Sequence, residues 1–213
     1  MSDGGVTRIN ESGQPIGAEV PHWISRPAVE PELLIGSHVT WTYYPYPDLS
    51  ALAAFEGYLA SLLALPLAWP MAILSPDGAG LGVACYLREN AASGSVEIGG
   101  IVFTDAFQRT TGATEAICLM SAHAFDDLGY RRLEWKCDSL NAGSRRAARR
   151  LGFVEEGTFR NAMVYRGRNR DTTWFSITDA EWPAVSAALT GWLAPGNFDG
   201  AGTQRRTLES FRA

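Results

Sequence analysis

Residues 96–116, VEIGGIVFTDAFQRTTGATEA, carry a strand straight into a helix with only a short polar loop between them. Residues 96–104 read as a strand, and from Thr111 onward Ala113, Ile117, Met120 and Ala124 recur on one helical stripe. A helix that starts in this way leaves its first amides without internal partners at the positive end of its dipole, where a phosphate can bind. Thr110, Thr111 and Gly112 are small enough for a ligand to approach the backbone. Gln108, Arg109, Thr110, Thr111, Gly112 and Ala113 therefore form a candidate phosphate cradle, and ordinary capping by Thr110 or Thr111 is the competing account.

The flanking pattern completes a mixed α/β arrangement. Residues 69–74, 81–87 and 96–104 read as three antiparallel strands joined by the turns SPDGAG and NAASGS. A helix over 111–128, closed by Gly129, leads to a strand over 132–138, and a strand–helix–strand unit prefers a parallel pairing through a right-handed crossover. Next come a short helix at 144–150 ended by Gly152, then a hairpin of 153–166 and 172–177 around the turn GRNR. A final helix covers about 178–193, with Trp182, Val185, Leu189 and Trp192 on one face and Pro183 near its first turn. Upstream, Leu52, Phe55, Leu59, Leu62 and Leu63 predict a helix over 49–65 that stops at Pro66. Residues 1–31 and 195–213 lack periodicity, so they are read as an N-terminal arm and a C-terminal tail around one domain at 32–194.

Composition narrows the function. With 46% hydrophobic residues over 213 positions, one packed core is the default. A net charge of −5 argues against a nucleic-acid scaffold, since phosphate backbones demand a broad basic excess, and Lys136 is the only lysine. Cys85, Cys118 and Cys137 are odd in number and set in apolar stretches, as buried free thiols of a reducing compartment would be. The N-terminus has no apolar leader and no run approaches the ~20 apolar residues of a membrane span, so the expected setting is the cytoplasm, with no membrane partner. No CxxC or paired-histidine spacing suggests a metal. GAGLG at 78–82 leads into a strand instead of a helix and is a hairpin turn, and no G-x-S-x-G elbow or Walker loop is present.

A second segment, YRRLEWKCDSLNAGSRRAARRLGFVEEG, places Asn141 and Ser144 at the entry to the short helix. Alone they are a turn and a cap. Together the two segments resemble the GNAT acetyltransferases, in particular the RimJ/RimL-like branch. The matching signs are the EIG opening of the strand, residues 108–113 in the place of the family's Q/R-x-x-G-x-G/A loop, and TEA on the helix. They continue with Asn141-x-x-Ser144 and Leu151-Gly152-Phe153-x-x-Glu156-Gly157. The likeness covers 66–177 and runs more loosely into GRNRDTTWFSITDAEWP, a tail associated with bacterial members.

What the resemblance implies is an α/β (α+β) GNAT fold. Its sheet is mixed and mostly antiparallel with flanking helices, splayed into a V between the fourth and fifth strands, here residues 96–104 and 132–138. It further implies an N-acyltransferase that moves an acetyl group from acetyl-CoA to a primary amine, on a protein N-terminus or a small molecule, by direct attack in a ternary complex. Pantetheine would pair with Ile101, Val102 and Phe103, the Val102 amide would polarise the thioester, and the pyrophosphate would meet residues 108–113. Asn141 would touch pantetheine or the amine, and Ser144 would lie near the sulfur. Glu97 is the first candidate base, ahead of Asp138 and Asp171. Among Arg145, Arg146, Arg149 and Arg150, Arg145 is the first choice for the 3′-phosphate.

Two positions depart from the family pattern. Thr111 stands where the loop usually has glycine, and Ala148 stands where many members carry a general-acid tyrosine. The stretch LLIGSHVTWTYYPY also leaves little room for the family's first strand and helix, and Trp41, Tyr43, Tyr44 and Tyr46 within it are expected in the core ahead of an acceptor pocket. These departures motivate a rival reading, a non-catalytic GNAT-fold sensor of acyl-CoA. A homodimer through the final hairpin and the Trp182/Trp192 face is a further expectation.

Overall fold

Alternating burial along the strands and one apolar stripe on each helix decide the layers. A computed structural model describes residues 68–165 and 167–212, with residues 8–9, 15–16, 24–27, 34–38, 40–43, 60 and 64 before them. Within these, β1 (Arg8–Ile9) and β2 (Pro15–Ile16) form a small separate ladder. An eight-stranded sheet contains β3 (Leu34–Ile35), β4 (Thr40–Tyr43), β5 (Ala68–Leu74), β6 (Gly80–Asn90), β7 (Ser95–Phe103), β8 (Arg132–Asp138), β9 (Val154–Tyr165) and β10 (Arg168–Thr178), in the order β3-β4-β5-β6-β7-β8-β10-β9. Every pairing is antiparallel except β7 with β8, so the expected mixed, mostly antiparallel sheet is what the chain builds.

Helices α1 (Thr111–Ala122), α2 (Ala142–Leu151) and α3 (Trp182–Leu193) cover the sheet. The stripe Ala113, Ile117, Met120 and Ala124 joins Tyr86, Ile98, Leu133, Phe175 and Leu189 in one core, and the buried Tyr86 hydroxyl donates to the Met120 carbonyl at 2.5 Å. Glu115, from the TEA motif, is buried although charged, because it accepts from the Ser37 amide at 2.9 Å and meets His38 Nδ1 at 3.1 Å. It thereby ties the β3–β4 loop to α1.

Several expectations are corrected. The α-helical part of the 111–128 segment stops at Ala122 and continues as a wider π turn, His123–Asp127. Arg168, Asn169 and Arg170 of the anticipated GRNR turn already belong to β10, and α3 starts at Trp182 instead of near 178. Trp182 and Trp192 are interior: Trp182 stacks on Phe125 at 4.9 Å and donates to Asp126 at 2.7 Å. They offer no dimer surface, and the exposed large apolar groups of the final hairpin are Val154, Phe159, Met163 and Val164. Cys85 and Cys137 are buried free thiols, whereas Cys118 is half-buried. The helix expected over 49–65 and the side chains of Trp41, Tyr43, Tyr44 and Tyr46 lie outside the described residues. The segment after α3, read as a tail, folds back so that Leu208 is fully buried.

Candidate functional site

β7 and β8 pair in parallel over only three positions, Ser95↔Arg132, Val96↔Leu133 and Glu97↔Glu134. Beyond Glu97 they part, and this is the V. The cause is local. Between Cys85↔Gly99 and Val83↔Val102, two steps on β6 oppose three on β7, a bulge that Gly100 makes possible with φ +60°. The bulge bends β7 away from β8 and leaves the edge of Ile101, Val102 and Phe103 without a strand partner on that side.

On the helix side of the V lies a cavity of about 930 Å³, lined by Phe103, Gln108, Arg109, Thr110 and Thr111, by the first turns of α1, by Trp135 of β8 and by the outer face of α2. The predicted loop is therefore at the cavity mouth. Gln108 Nε2 donates to the Phe103 carbonyl at 3.2 Å and to Asp105 at 3.3 Å, and Arg109 adopts φ +63°, unusual for a side-chain-bearing residue. Thr110 is the N-cap of α1: its hydroxyl accepts from the Ala113 amide at 3.1 Å and donates to the Phe107 carbonyl at 2.7 Å. The capping account is thus correct for Thr110, while Thr111 lines the cavity and Gly112 is buried behind it.

Asn141 is a cap as well. Its side chain accepts from the Ser144 amide at 3.0 Å and it does not line the cavity, though its neighbour Gly143 does. Ser144 is engaged differently, because Trp135 Nε1 donates to its Oγ at 2.9 Å. An indole can only donate, so the Ser144 hydroxyl proton is directed elsewhere, toward the neighbouring Cys137 thiol, and Ser144 stands behind Gly143 and Trp135 and does not line the cavity itself. Ala148 is fully buried, leaving no room for a tyrosine.

The arginine assignment needs revision. Arg145 is drawn out of the cavity by Glu155 at 3.1 Å and by the Ser139 carbonyl at 3.2 Å. Arg149 and Arg150 line the cavity but are engaged, Arg149 with Glu155 and Arg150 with Thr114 Oγ1 at 3.0 Å. Arg146 and Arg109 line the cavity and have no acidic partner among the described residues. One-residue spacing on a short helix decides which guanidinium faces inward, and composition alone did not reveal it.

The opposite face of the sheet carries a second cluster. Leu133, Trp135 and Cys137 point to the helices, so Glu134 and Lys136 point away, together with their register partners Glu97 and Trp174. Glu97 is buried in an ion pair with Arg88, and Lys136 Nζ stands 3.8 Å from it. Arg88 occupies a second bulge, on β6, with φ +48°, and its guanidinium lies 4.7 Å above Trp174. Holding such a residue in the left-handed region costs on the order of 1 kcal/mol, and the ion pair and the cation–π contact offset it. Burial, reinforced by Glu134 and only partly countered by Arg88, pushes the Glu97 carboxyl up to about 7. Phe159 packs 5.6 Å from Trp174, whose buried Nε1–H has no acceptor among the described residues. Sequence reading named Glu97 alone from this cluster. Arg88, Trp174 and Lys136 were missed, and the signals for them were register and bulges. Asp138 and Asp171 lie further along: Asp138 accepts from the Leu140 amide at 2.8 Å and Asp171 from the Asn161 amide at 2.8 Å.

Among the described residues no cluster of three or more His, Cys, Asp or Glu side chains could hold a metal ion, and no helix is long and apolar enough to cross a membrane. Residues 18–154 match the family model of the acetyltransferase (GNAT) domain. A GCN5-related N-acetyltransferase from Brucella melitensis is 37% identical, with 91% of this chain and 99% of that chain covered at a TM-score of 0.82. A Chromobacterium violaceum protein described as an acetyltransferase of the GNAT family is 36% identical over 80% of this chain and 98% of its own, at 0.74. A T. thermophilus protein described as an acetyltransferase is 27% identical, covering 78% and 99%, at 0.68. No curated protein matches the chain significantly.

Proposed function

The chain belongs to the GNAT acetyltransferase family, and from that premise we propose that it transfers an acetyl group from acetyl-CoA to a primary amine in a ternary complex, as a member of the RimJ/RimL-like branch. The observation that carries this reading is the V, which reaches both faces of the sheet: a cavity with a phosphate-type loop on one side and a buried carboxylate on the other. The residues suit the donor. The free edge at Ile101, Val102 and Phe103 matches the amide-bearing pantetheine arm, and the open amides at the start of α1 with Arg109 and Arg146 match its phosphates. Acetyl-CoA supplies an activated thioester.

The side chains then divide the proton work. Glu97, its carboxyl pushed up to about 7 by burial, takes the proton that a primary ammonium must lose before it can attack. Ser144 Oγ, held by Trp135, is assigned the proton for the departing sulfur. An amide on the open edge of β7 serves the developing oxyanion. Trp174 and Phe159 offer the acceptor an aromatic wall and one indole N–H.

Calorimetric titration with CoA and acetyl-CoA, followed by thiol-release assays over peptides, polyamines, aminoglycosides and amino acids, tests the reading. Binding followed by release with one acceptor class supports it. Buried Ala148 in the tyrosine position favours the rival sensor reading, which binding without release from any acceptor would support, and failure to bind CoA overturns both. Arg109→Ala combined with Arg146→Ala is expected to raise KM for acetyl-CoA about tenfold or more and to flatten its salt dependence. Ser144→Ala is expected to lower kcat roughly tenfold with little change in KM. Donors with more acidic thiols should narrow that defect, whereas an unchanged ratio removes Ser144 from leaving-group chemistry.

A further inference from the structure

The outer wall of the cavity is built by the segment that follows α3. Trp192, Phe198, Gly202, Gln204 and Glu209 face the same space as the α1 loop. This wall is fixed. Asn197 Nδ2 donates to the carbonyls of Trp192 at 3.0 Å and Arg206 at 3.2 Å while its Oδ1 accepts from the Arg206 amide at 3.0 Å. Asp199 accepts from the Ala201 and Thr203 amides at 3.0 and 2.8 Å, so 198–204 is a closed loop bridged by Phe198 and Gln204. Leu208 is fully buried, and Arg212 Nη1 donates to the Arg149 carbonyl at 2.9 Å.

A chain of side chains joins this wall to the phosphate end. Thr114 in the first turn of α1 bonds Arg150, whose guanidinium lies 4.7 Å above Trp192. Trp192 Nε1 donates to Gln204 Oε1 at 2.8 Å. Because an indole nitrogen only donates, the Gln204 oxygen is committed and its amide N–H groups remain for the cavity. Phe198 stands edge-on to Trp192 at 5.3 Å, giving an aromatic corner.

We propose that this C-terminal wall is a purine subsite that grips the adenine end of the acyl donor, an inference that rests on the CoA reading above. The wall itself suits a base and not a phosphate. It presents the half-buried Phe198 ring beside the buried Trp192, whose face Arg150 of α2 covers, with an amide donor from Gln204 and a carboxylate acceptor from Glu209, and the residues it adds carry no positive charge. Adenine offers the complement, with ring nitrogens that accept, an exocyclic amino group that donates and a π face. Arg109 and Arg146 are left for the phosphates.

The test is calorimetry of the full chain and its Phe198→Ala, Gln204→Ala and Glu209→Gln variants with CoA and with 4′-phosphopantetheine, which lacks the nucleoside. Each variant is expected to bind CoA about five- to tenfold more weakly, the loss of one hydrogen bond or ring contact, and to bind phosphopantetheine as the parent does. A CoA analogue with hypoxanthine in place of adenine, which offers an oxygen where adenine has its amino group, should bind the parent more weakly, and Glu209→Gln should recover part of that loss. Equal losses for CoA and phosphopantetheine, or no loss for either, overturn the subsite. If the parent itself fails to bind CoA, the donor reading has failed and not merely the subsite.

Discussion

Replacing Glu97 with Gln is expected to lower kcat/KM by about 10²-fold or more at pH 7 and to abolish the limb of the pH profile that rises near 7. Gln keeps the shape of the side chain, but it cannot take a proton. Stability supplies an independent readout. The carboxyl rises from 4.5 to about 7 on folding, so the folded state holds a proton that the unfolded chain has released across that window. Stability is therefore lost as pH climbs from 4.5 to 7, by on the order of 3 kcal/mol, and stays lost above it. The variant lacks that slope, so its thermal midpoint should gain on the parent between pH 5 and 8. Arg88 is part-exposed and can turn to water once its charge partner is gone. An unchanged pH–rate profile would remove Glu97 from the chemistry, and an unchanged stability slope would show that its carboxyl is ionised throughout.

Gly152→Ala should be the more damaging change to the fold. Gly152 ends α2 with φ +104°, and its amide returns to the carbonyls of Ala148 and Arg149. A methyl group there would stand 2.8 Å from Val185 Cγ1 on α3. Backbone strain and overpacking together predict a loss of roughly 2 to 3 kcal/mol, or about 5 to 10 °C in Tm. Adding Val185→Ala should return the steric part and leave the backbone part. A parent-like midpoint in the single variant would mean that the α2–α3 contact yields freely. This is the physical content of the Leu151-Gly152-Phe153 motif: a left-handed turn pressed against the next helix, with Leu151 and Phe153 buried on either side.

Elements with strong periodicity were legible in the sequence. Residues 69–74, 132–138 and the α1 stripe are where alternation and helical spacing put them, and the phosphate-type loop lines the cavity mouth. What sequence did not reveal depends on contacts between distant segments. Arg88 reaches Glu97 only because of a one-residue bulge in β6, and Lys136 meets Trp174 through the β8–β10 register. Arg145 and Arg146 are indistinguishable by composition, yet Glu155 draws one of them outward. Asn141 and Thr110 show the converse case, in which a motif residue serves its own helix as a cap. The segment after α3 looked featureless because its order comes from side-chain bonds of Asn197 and Asp199, which leave no periodic trace.

The three-residue seam between β7 and β8 has a mechanical meaning. β5, β6 and β7 form one plate and β8, β10 and β9 another, each stitched internally by long ladders, and among the described residues the ladder between the plates runs over Ser95–Glu97 alone, backed by the Arg88–Trp174 and Lys136–Glu97 contacts. α1, with Ile117 and Met120 packed into the shared core, lies across both. On the proposed reading, a donor that pairs with the open edge of β7 is expected to complete the missing ladder and stabilise the folded plates. Amide hydrogens within residues 101–103 that face the V should exchange quickly in the free protein and slow sharply when the donor is bound, while those of β9 and β10 keep one rate throughout.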